Sequence, residues 1–348
     1  MISENRDLYY IRIFAGFMVT VLIIRILQEL KNIFIPLFMA LLLYFFFNGV
    51  VKKLLKLKIP QVVVLLFLLV FIFIVFYFLG VLIYSGVSSF IAKFPEYSGK
   101  FTEMITGLLE KLKIPIDEVN SYVEQIDWKQ SIDTSKVTAI VSSTFGDIGS
   151  FFGNLILVLL FLMFMLAGRR SLTGRIHKAF EEEKADEIKY ILNSIENKVQ
   201  HYLLIKTFTS FLTGFIGGVI LIVGGIDFAI FSALLIFILN FIPNFGSVIA
   251  TIFPIMVGVL KFGVSMRVVL VAGGLMFTQF IIGNYLDPKI TGKSLNLSPI
   301  VILISLIFWW YVWGIVGMML AVPLTSAMKI IFQHIEVLKP MAEIISAE

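Results

Sequence analysis

Apolar residues fall in long, nearly uninterrupted runs along this chain, and those runs set the architecture it can adopt. A helix needs about 20 apolar residues to cross the hydrocarbon of a bilayer. Tyr9 to Leu27 is the first such run, with Arg12 and Arg25 near its ends, where long basic side chains reach the interface. Ile33 to Val51 is the second and stops at Lys52, Lys53, Lys56 and Lys58; Val62 to Ile83 is the third. The character then changes. From about Ser88 to Asp147 acidic residues outnumber basic ones and Pro95 and Pro115 intervene. Ile105, Leu108, Leu109 and Leu112 still recur at helical spacing, which predicts an insertion of short amphipathic helices.

A fourth span is predicted over Ile148 to Ala167, ending on Arg169 and Arg170. In the polar stretch that follows, Ile188, Ile191, Leu192, Ile195 and Val199 share one stripe, the mark of a surface helix feeding the next span. Tyr202 to Val223 is the fifth span and Val268 to Tyr285 a later, conventional one. Two apolar blocks are too long for one crossing. Phe228 to Phe262 is interrupted at Phe241–Gly246, and Pro299 to Phe332 near Trp313–Gly314 and again at Pro323. Each reads as a helical hairpin, either two spans or a re-entrant pair. The chain thus divides into residues 1–87 (three spans), 88–147 (polar insertion), 148–200 (fourth span and amphipathic helix), 201–335 (core with two breaks) and 336–348 (tail).

Composition agrees with lipid as the solvent: 59% of the residues are hydrophobic and 15% charged, against about 25% charged in soluble domains. The expected fold is all-α, a polytopic membrane protein with two broken segments and a small helical insertion. The first apolar run passes Leu22 without a small-residue cleavage site, so it reads as a retained span rather than a signal peptide. The net charge of +5 comes from residues flanking the apolar runs, which suits basic cytoplasmic loops and not nucleic-acid binding. Lys52–Lys58 and Arg169–Lys178 are the densest basic clusters, which puts both termini inside and the 88–147 insertion outside.

Phe241-Ile-Pro-Asn-Phe-Gly246, the loop Asp287–Gly292, Leu297-Ser-Pro299, Trp309 and the run from Trp313 to Pro323 form one set of segments. Together they resemble the autoinducer-2 exporter family, also called PerM-like permeases. The resemblance implies a prokaryotic inner-membrane permease of about eight membrane segments that assembles as a homo-oligomer. It also implies export of a furanosyl quorum-sensing signal or exchange of sodium or lithium for protons.

Chemistry concentrates at the breaks. A backbone interruption inside a membrane frees N–H and C=O groups that must be satisfied by protein or line a cavity. Asn240 and Asn244 flank the Pro243 turn with Gly246 just beyond, and can bind a polyol, coordinate a cation, or simply cap two half-helices. Gln279 and Asn284 lie on the later span and can face the same cavity or bond between helices. Asp227 and Asp287 are the acids nearest the core and the candidate coupling carboxylates, although both stand at span ends, where hydrated carboxylates are common. Lys206 can attract an anionic group but reads first as a snorkelling anchor. Pro299, Trp313, Gly314 and Pro323 mark the second broken block, whose tryptophans suit a sugar-like ligand or an interfacial belt. Gly214 and Gly218 form a small-xxx-small pattern for close helix packing.

Nothing points to an enzyme, cofactor or metal. There is no cysteine and no Walker A loop, and His177, His201 and His334 are scattered without HExxH spacing. The expected partners are the bilayer, a small polar solute or monovalent cation, and further copies of the chain. A membrane scaffold without transport is the competing class; it would tolerate changes at Pro243 and Asn244 that a transporter would not.

Overall fold

A chain whose apolar runs face lipid has to close its backbone hydrogen bonds within each segment, and the helix is the only single-segment way to do so. The computed structural model describes residues 2–111, 148–243, 245–291 and 295–347, and these are overwhelmingly helical. The helices are α1 (Ile2–Glu29), α2 (Lys31–Lys56), α3 (Gln61–Lys111), α4 (Ile148–Ala179) and α5 (Glu182–Val223). They continue with α6 (Ala229–Leu239), α7 (Phe245–Phe262), α8 (Met266–Ile281), α9 (Asp287–Thr291), α10 (Pro299–Gln333) and α11 (Lys339–Ile345). A π-helical turn, Ile282–Leu286, joins α8 to α9.

Among the described residues, 5 helices are long and apolar enough to span: Lys31–Lys56, Gln61–Gly107, Glu182–Val223, Met266–Ile290 and Pro299–Gln333. Their outward residues are large and apolar, for example Phe67 and Phe78 on α3, Phe211 and Phe215 on α5, and Phe277 and Phe280 on α8. In water such surfaces would drive aggregation; against lipid tails they are the outer wall of a polytopic membrane protein.

By internal contacts the chain forms two units. The first comprises Met1–Leu65, Asn154–Tyr202 and Lys293–Glu348; the second comprises Leu66–Gly153 and Leu203–Gly292.

In the first unit, α10 is a hairpin and not a single rod. The backbone leaves helical geometry at Trp313 (φ −134°) and Gly314 (φ 64°, ψ −142°), a left-handed turn that glycine makes without steric cost. The two limbs, residues 299–312 and 315–333, then lie side by side. Ser305 Oγ is 2.5 Å from Thr325 Oγ1 and donates to the Ala321 carbonyl at 3.3 Å. Any side chain at Gly317 would overlap the Trp309 carbonyl, so a residue without Cβ stands where the limbs meet. The interruption expected at Pro323 does not occur. That proline is buried within the returning limb, where a missing N–H costs the helix one bond but does not reverse its direction.

Around that hairpin, α1 and α2 meet at the single residue Leu30, leaving last-turn carbonyls of α1 open. The Trp313 indole donates to one of them, Leu27 O, at 3.0 Å, while Gln28 Nε2 donates to the Tyr311 carbonyl next to the break at 3.1 Å. Phe38 packs on the Trp313 ring at 5.2 Å between centroids. A polar cluster, buried at Asn48 and Glu196 and half-exposed at Lys52, ties α2 to α5: Asn48 Nδ2 and Lys52 Nζ both donate to Glu196 Oε1, the latter at 2.8 Å.

In the second unit, the distal part of α3 runs on through Ser88 and Pro95 to Lys111 without the expected change of element. Its 51 residues measure about 76 Å, more than twice the hydrocarbon thickness. The helix is continuous past the proline, and on both sides of it Gly86, Phe90, Lys93 and Tyr97 form one docked stripe. The remainder of the polar insertion, 112–147, lies outside the described residues.

The other helices gather around a core of Leu221, Ile226, Ile236, Ala250, Val257, Val271 and Leu275. Here α6 and α7 make the first hairpin. At 11 residues α6 reaches only about 16 Å, roughly half the hydrocarbon, which suits a limb that enters and returns. A side chain at Gly246 would overlap the Leu239 carbonyl, the same close approach seen at Gly317. The glycine pattern on α5 is the seat of α6. A Cβ at Gly214 would lie 2.9 Å from the Ala233 carbonyl, and one at Gly218 would lie 2.9 Å from the Ala233 Cβ.

Candidate functional site

Apart from Thr207, the 203–223 stretch of α5 is apolar except on one face. Lys206, Thr209, Ser210 and Thr213 recur at the i, i+3, i+4, i+7 spacing of a single helix stripe, and all four are buried. Polar groups removed from water need partners. Thr213 Oγ1 donates back to the Thr209 carbonyl at 2.7 Å, and the other three are met by residues from elsewhere in the unit.

The first partner comes from the tip of the first hairpin. α6 stops at Leu239 and Asn240 caps it, its own N–H still bonded to Ile236 O. The Asn240 amide donates to Ser210 Oγ at 3.0 Å, and both residues are buried. The second partner comes from the end of α8. After Ile281 the helix widens into the π-helical turn, and Asp287 follows it as the first residue of α9. Lys206 Nζ lies 2.9 Å from Asp287 Oδ2, and Thr209 Oγ1 lies 3.4 Å from Asp287 Oδ1. Side-chain exposure is 9% for Lys206 and 20% for Asp287, so each charge depends on the other. The resulting strip combines an ion pair, three hydroxyls and an amide within otherwise apolar helices. It can exchange its internal hydrogen bonds for bonds to a polar guest.

Of the residues singled out from sequence, Asn240 and Asp287 meet on this strip. Pro243 and Gly246 belong to the same hairpin turn; Asn244 lies outside the described residues. Gln279 is on α8, its amide nitrogen buried without a partner among the described residues. Asn284 sits in the π-helical turn and is exposed. Pro299, Trp313, Gly314 and Pro323 belong to the first unit, where Pro299 opens the second hairpin and Trp309 and Trp313 are buried in its packing. Trp310 and Tyr311, by contrast, are exposed.

Asp227 stands apart, in the connection between α5 and α6. Tyr97 Oη donates to its Oδ2 at 2.7 Å, Lys93 Nζ lies 3.0 Å from the same oxygen, and Lys261 Nζ is paired with Oδ1. Partial burial works to raise its pKa, but the bonds from Lys261, Tyr97 and Lys93 outweigh that and bring it down to about 2. A carboxylate so held stays ionised, whereas proton exchange near neutral pH calls for a raised pKa.

The sequence reading did not single out Thr209, Ser210 and Thr213, nor the Asn48–Glu196 pair. The signal for the first was available in four polar residues at helical spacing inside one apolar span.

Comparison with known proteins places this geometry in context. The family model described as AI-2E family transporter matches residues 11–336. A Haemophilus influenzae protein named for transport is 29% identical over 337 residues, covering 94% of this chain and 93% of that protein. The Escherichia coli AI-2 transport protein TqsA is 29% identical over 308 residues, covering 87% of this chain and 86% of that protein. A Borreliella burgdorferi protein also named for transport is 27% identical over 336 residues, covering 94% of this chain and 88% of that protein.

Proposed function

The chain belongs to the AI-2E transporter family, and from that premise we propose that it carries a small polar solute across the inner membrane of a prokaryote by way of the α5 polar strip. The observation that carries the reading is the convergence of Asn240, from a hairpin tip, and Asp287, from a π-helical turn, on the buried Lys206–Thr213 face. A scaffold gains nothing from burying an ion pair and three hydroxyls in one stripe of a spanning helix, since apolar residues pack there at no desolvation cost. A carrier needs that stripe. Broken helices whose ends supply polar contacts are the usual way a membrane protein holds a polar guest at depth.

A neutral, hydroxyl-rich solute fits an ion pair that is already balanced, and autoinducer-2 is the first candidate, because one relative is named for its transport. The second reading is sodium or lithium exchange for protons, favoured by one feature: the Asp287 carboxylate, whose Lys206 partner a small cation can replace. In either case the chain works as a carrier and not an enzyme, assembled as a homo-oligomer with both termini in the cytoplasm.

The test is flux in proteoliposomes. Purified protein is reconstituted and supplied with the furanosyl signal, and separately with sodium or lithium and a pH-sensitive dye, beside Asn240→Ala, Asp287→Asn and empty vesicles. Solute flux that both substitutions abolish supports the first reading. Cation-driven pH change that only Asp287→Asn abolishes supports the second. Folded, inserted protein with no flux of any solute sinks both and favours a scaffold.

A further inference from the structure

The first hairpin has two unlike neighbours. Toward α5 it is seated on glycines, with backbone and Cβ atoms in close contact around Gly214 and Gly218. Toward α3 it meets a stripe with heptad-like spacing: Gly86, Phe90, Lys93 and Tyr97. Phe231 lies over Gly86, whose built Cβ would be 2.6 Å from the Phe231 Cβ. Phe90 meets Phe228 and Phe253 edge-on at 5.7 and 5.5 Å between centroids. Beyond the rings the contact ends in charge. Lys93 and Tyr97 from α3 and Lys261 from the end of α7 all converge on Asp227, just ahead of α6.

We propose that Asp227 is a latch holding the open end of the first hairpin against α3, and that this docking is released and remade as the protein works. The two faces differ in what it takes to separate them. The glycine-seated face has no room for added side chains. The α3 face is held by edge-on rings and by ion pairs that water reaches: side-chain exposure is 51% for Lys93, 30% for Lys261 and 20% for Asp227. Ion pairs at such exposure contribute little and are screened by salt, which suits a contact made and broken repeatedly. Asp227 joins all the parts, because it accepts from both α3 and the far limb of the hairpin. It acts by positioning the hairpin, without touching the solute.

The release half of the proposal rests on the transport reading, so the test has two arms. The first is hydrogen–deuterium exchange of the full-length protein in detergent, read over residues 224–231. Asp227→Asn and Lys93→Met are expected to speed exchange there several-fold. In the unaltered protein the same rise is expected on going from about 0.1 M to about 1 M salt, as the screening length falls from about 10 Å to about 3 Å. Unchanged exchange in both variants overturns the latch.

The second arm uses the cysteine-free background. Gly86→Cys with Phe231→Cys removes the ring that now fills the space and leaves two Cβ atoms 2.6 Å apart, so the helices have only to part by about 1 Å to reach the roughly 3.8 Å a disulfide takes. Solute flux in proteoliposomes is expected to stop on oxidation and return with reductant. Undiminished flux through the cross-linked protein overturns the release. If the reduced pair is itself inactive, Phe90→Cys with Phe253→Cys asks the same question. If the unaltered protein moves no solute at all, the transport reading fails and the exchange arm still decides the latch.

Discussion

The ammonium of Lys206 and the carboxylate of Asp287, 81 positions apart in the chain, lie 2.9 Å from each other inside the second unit. Lys206 is one of the most buried charges among the described residues, and its counter-ion comes from another helix. The pair is therefore a dependency: removing either member strands the other in a medium that penalises lone charge.

Lys206→Met should cost about 3 kcal/mol of stability, the low end for breaking a buried pair because Asp287 keeps some water contact. Lys206→Met with Asp287→Leu should recover much of that loss. Thermal unfolding in detergent distinguishes the cases; a double variant no better than the single one would mean the two side chains are not coupled.

At the hairpin tip, Asn240→Ala removes one amide–hydroxyl bond to Ser210. Interhelical bonds of this kind contribute about 1 kcal/mol, so the melting temperature should fall only slightly. Solute flux should fall far more. Equal, modest losses in both measurements would place Asn240 in the packing and outside the transport path.

Two glycines offer a steric contrast. Gly246→Ala drives a methyl into the Leu239 carbonyl and should cost about 3 kcal/mol or more, through displaced backbone at the turn. Gly273→Ala, on α8, meets nothing within 4 Å and should be neutral or up to about 1 kcal/mol stabilising from helix propensity alone. Folded yield and melting temperature of the two variants, expressed side by side, are the readout.

The ionised Asp227 predicts a pH window. Its pKa is about 2 in the folded protein against an ordinary 3.8, a depressed carboxylate, so its contribution is complete above pH about 3.8 and is lost as pH falls toward 2. Melting curves of the unaltered protein and of Asp227→Asn should therefore converge between about pH 4 and pH 2 and stay separated above it. Parallel curves through that range would contradict the pairing with Lys261, Tyr97 and Lys93.

Trp313→Phe tests how the second break is held. The ring packing against Phe38 survives, but the half-buried Leu27 O loses its donor, which should cost about 1 kcal/mol, the low end for an acceptor left unpaired. Trp310→Phe, whose side chain is exposed, should change stability little.

The sequence by itself determined what depends on neighbours along the chain. Apolar run length located the membrane helices, and the residues that disrupt a helix located both hairpin turns, one around Pro243 and one at Trp313–Gly314. The Gly214–Gly218 spacing announced a close helix crossing, because absent side chains are visible without a structure. What lay beyond it were the pairings set by three-dimensional register. Lys206 reads as a snorkelling anchor until α8 delivers Asp287 to it through the π-helical turn. Trp313 fits an interfacial belt until the open carbonyl of Leu27 claims its indole. Asp227 is one more hydrated span end until three donors from two other helices surround it. Helix 3 continues past Pro95 with the first hairpin packed along it, which no local propensity records. In lipid the helices form from local pattern, but the polar groups they bury choose partners only when the helices pack, and those choices make the strip and the latch.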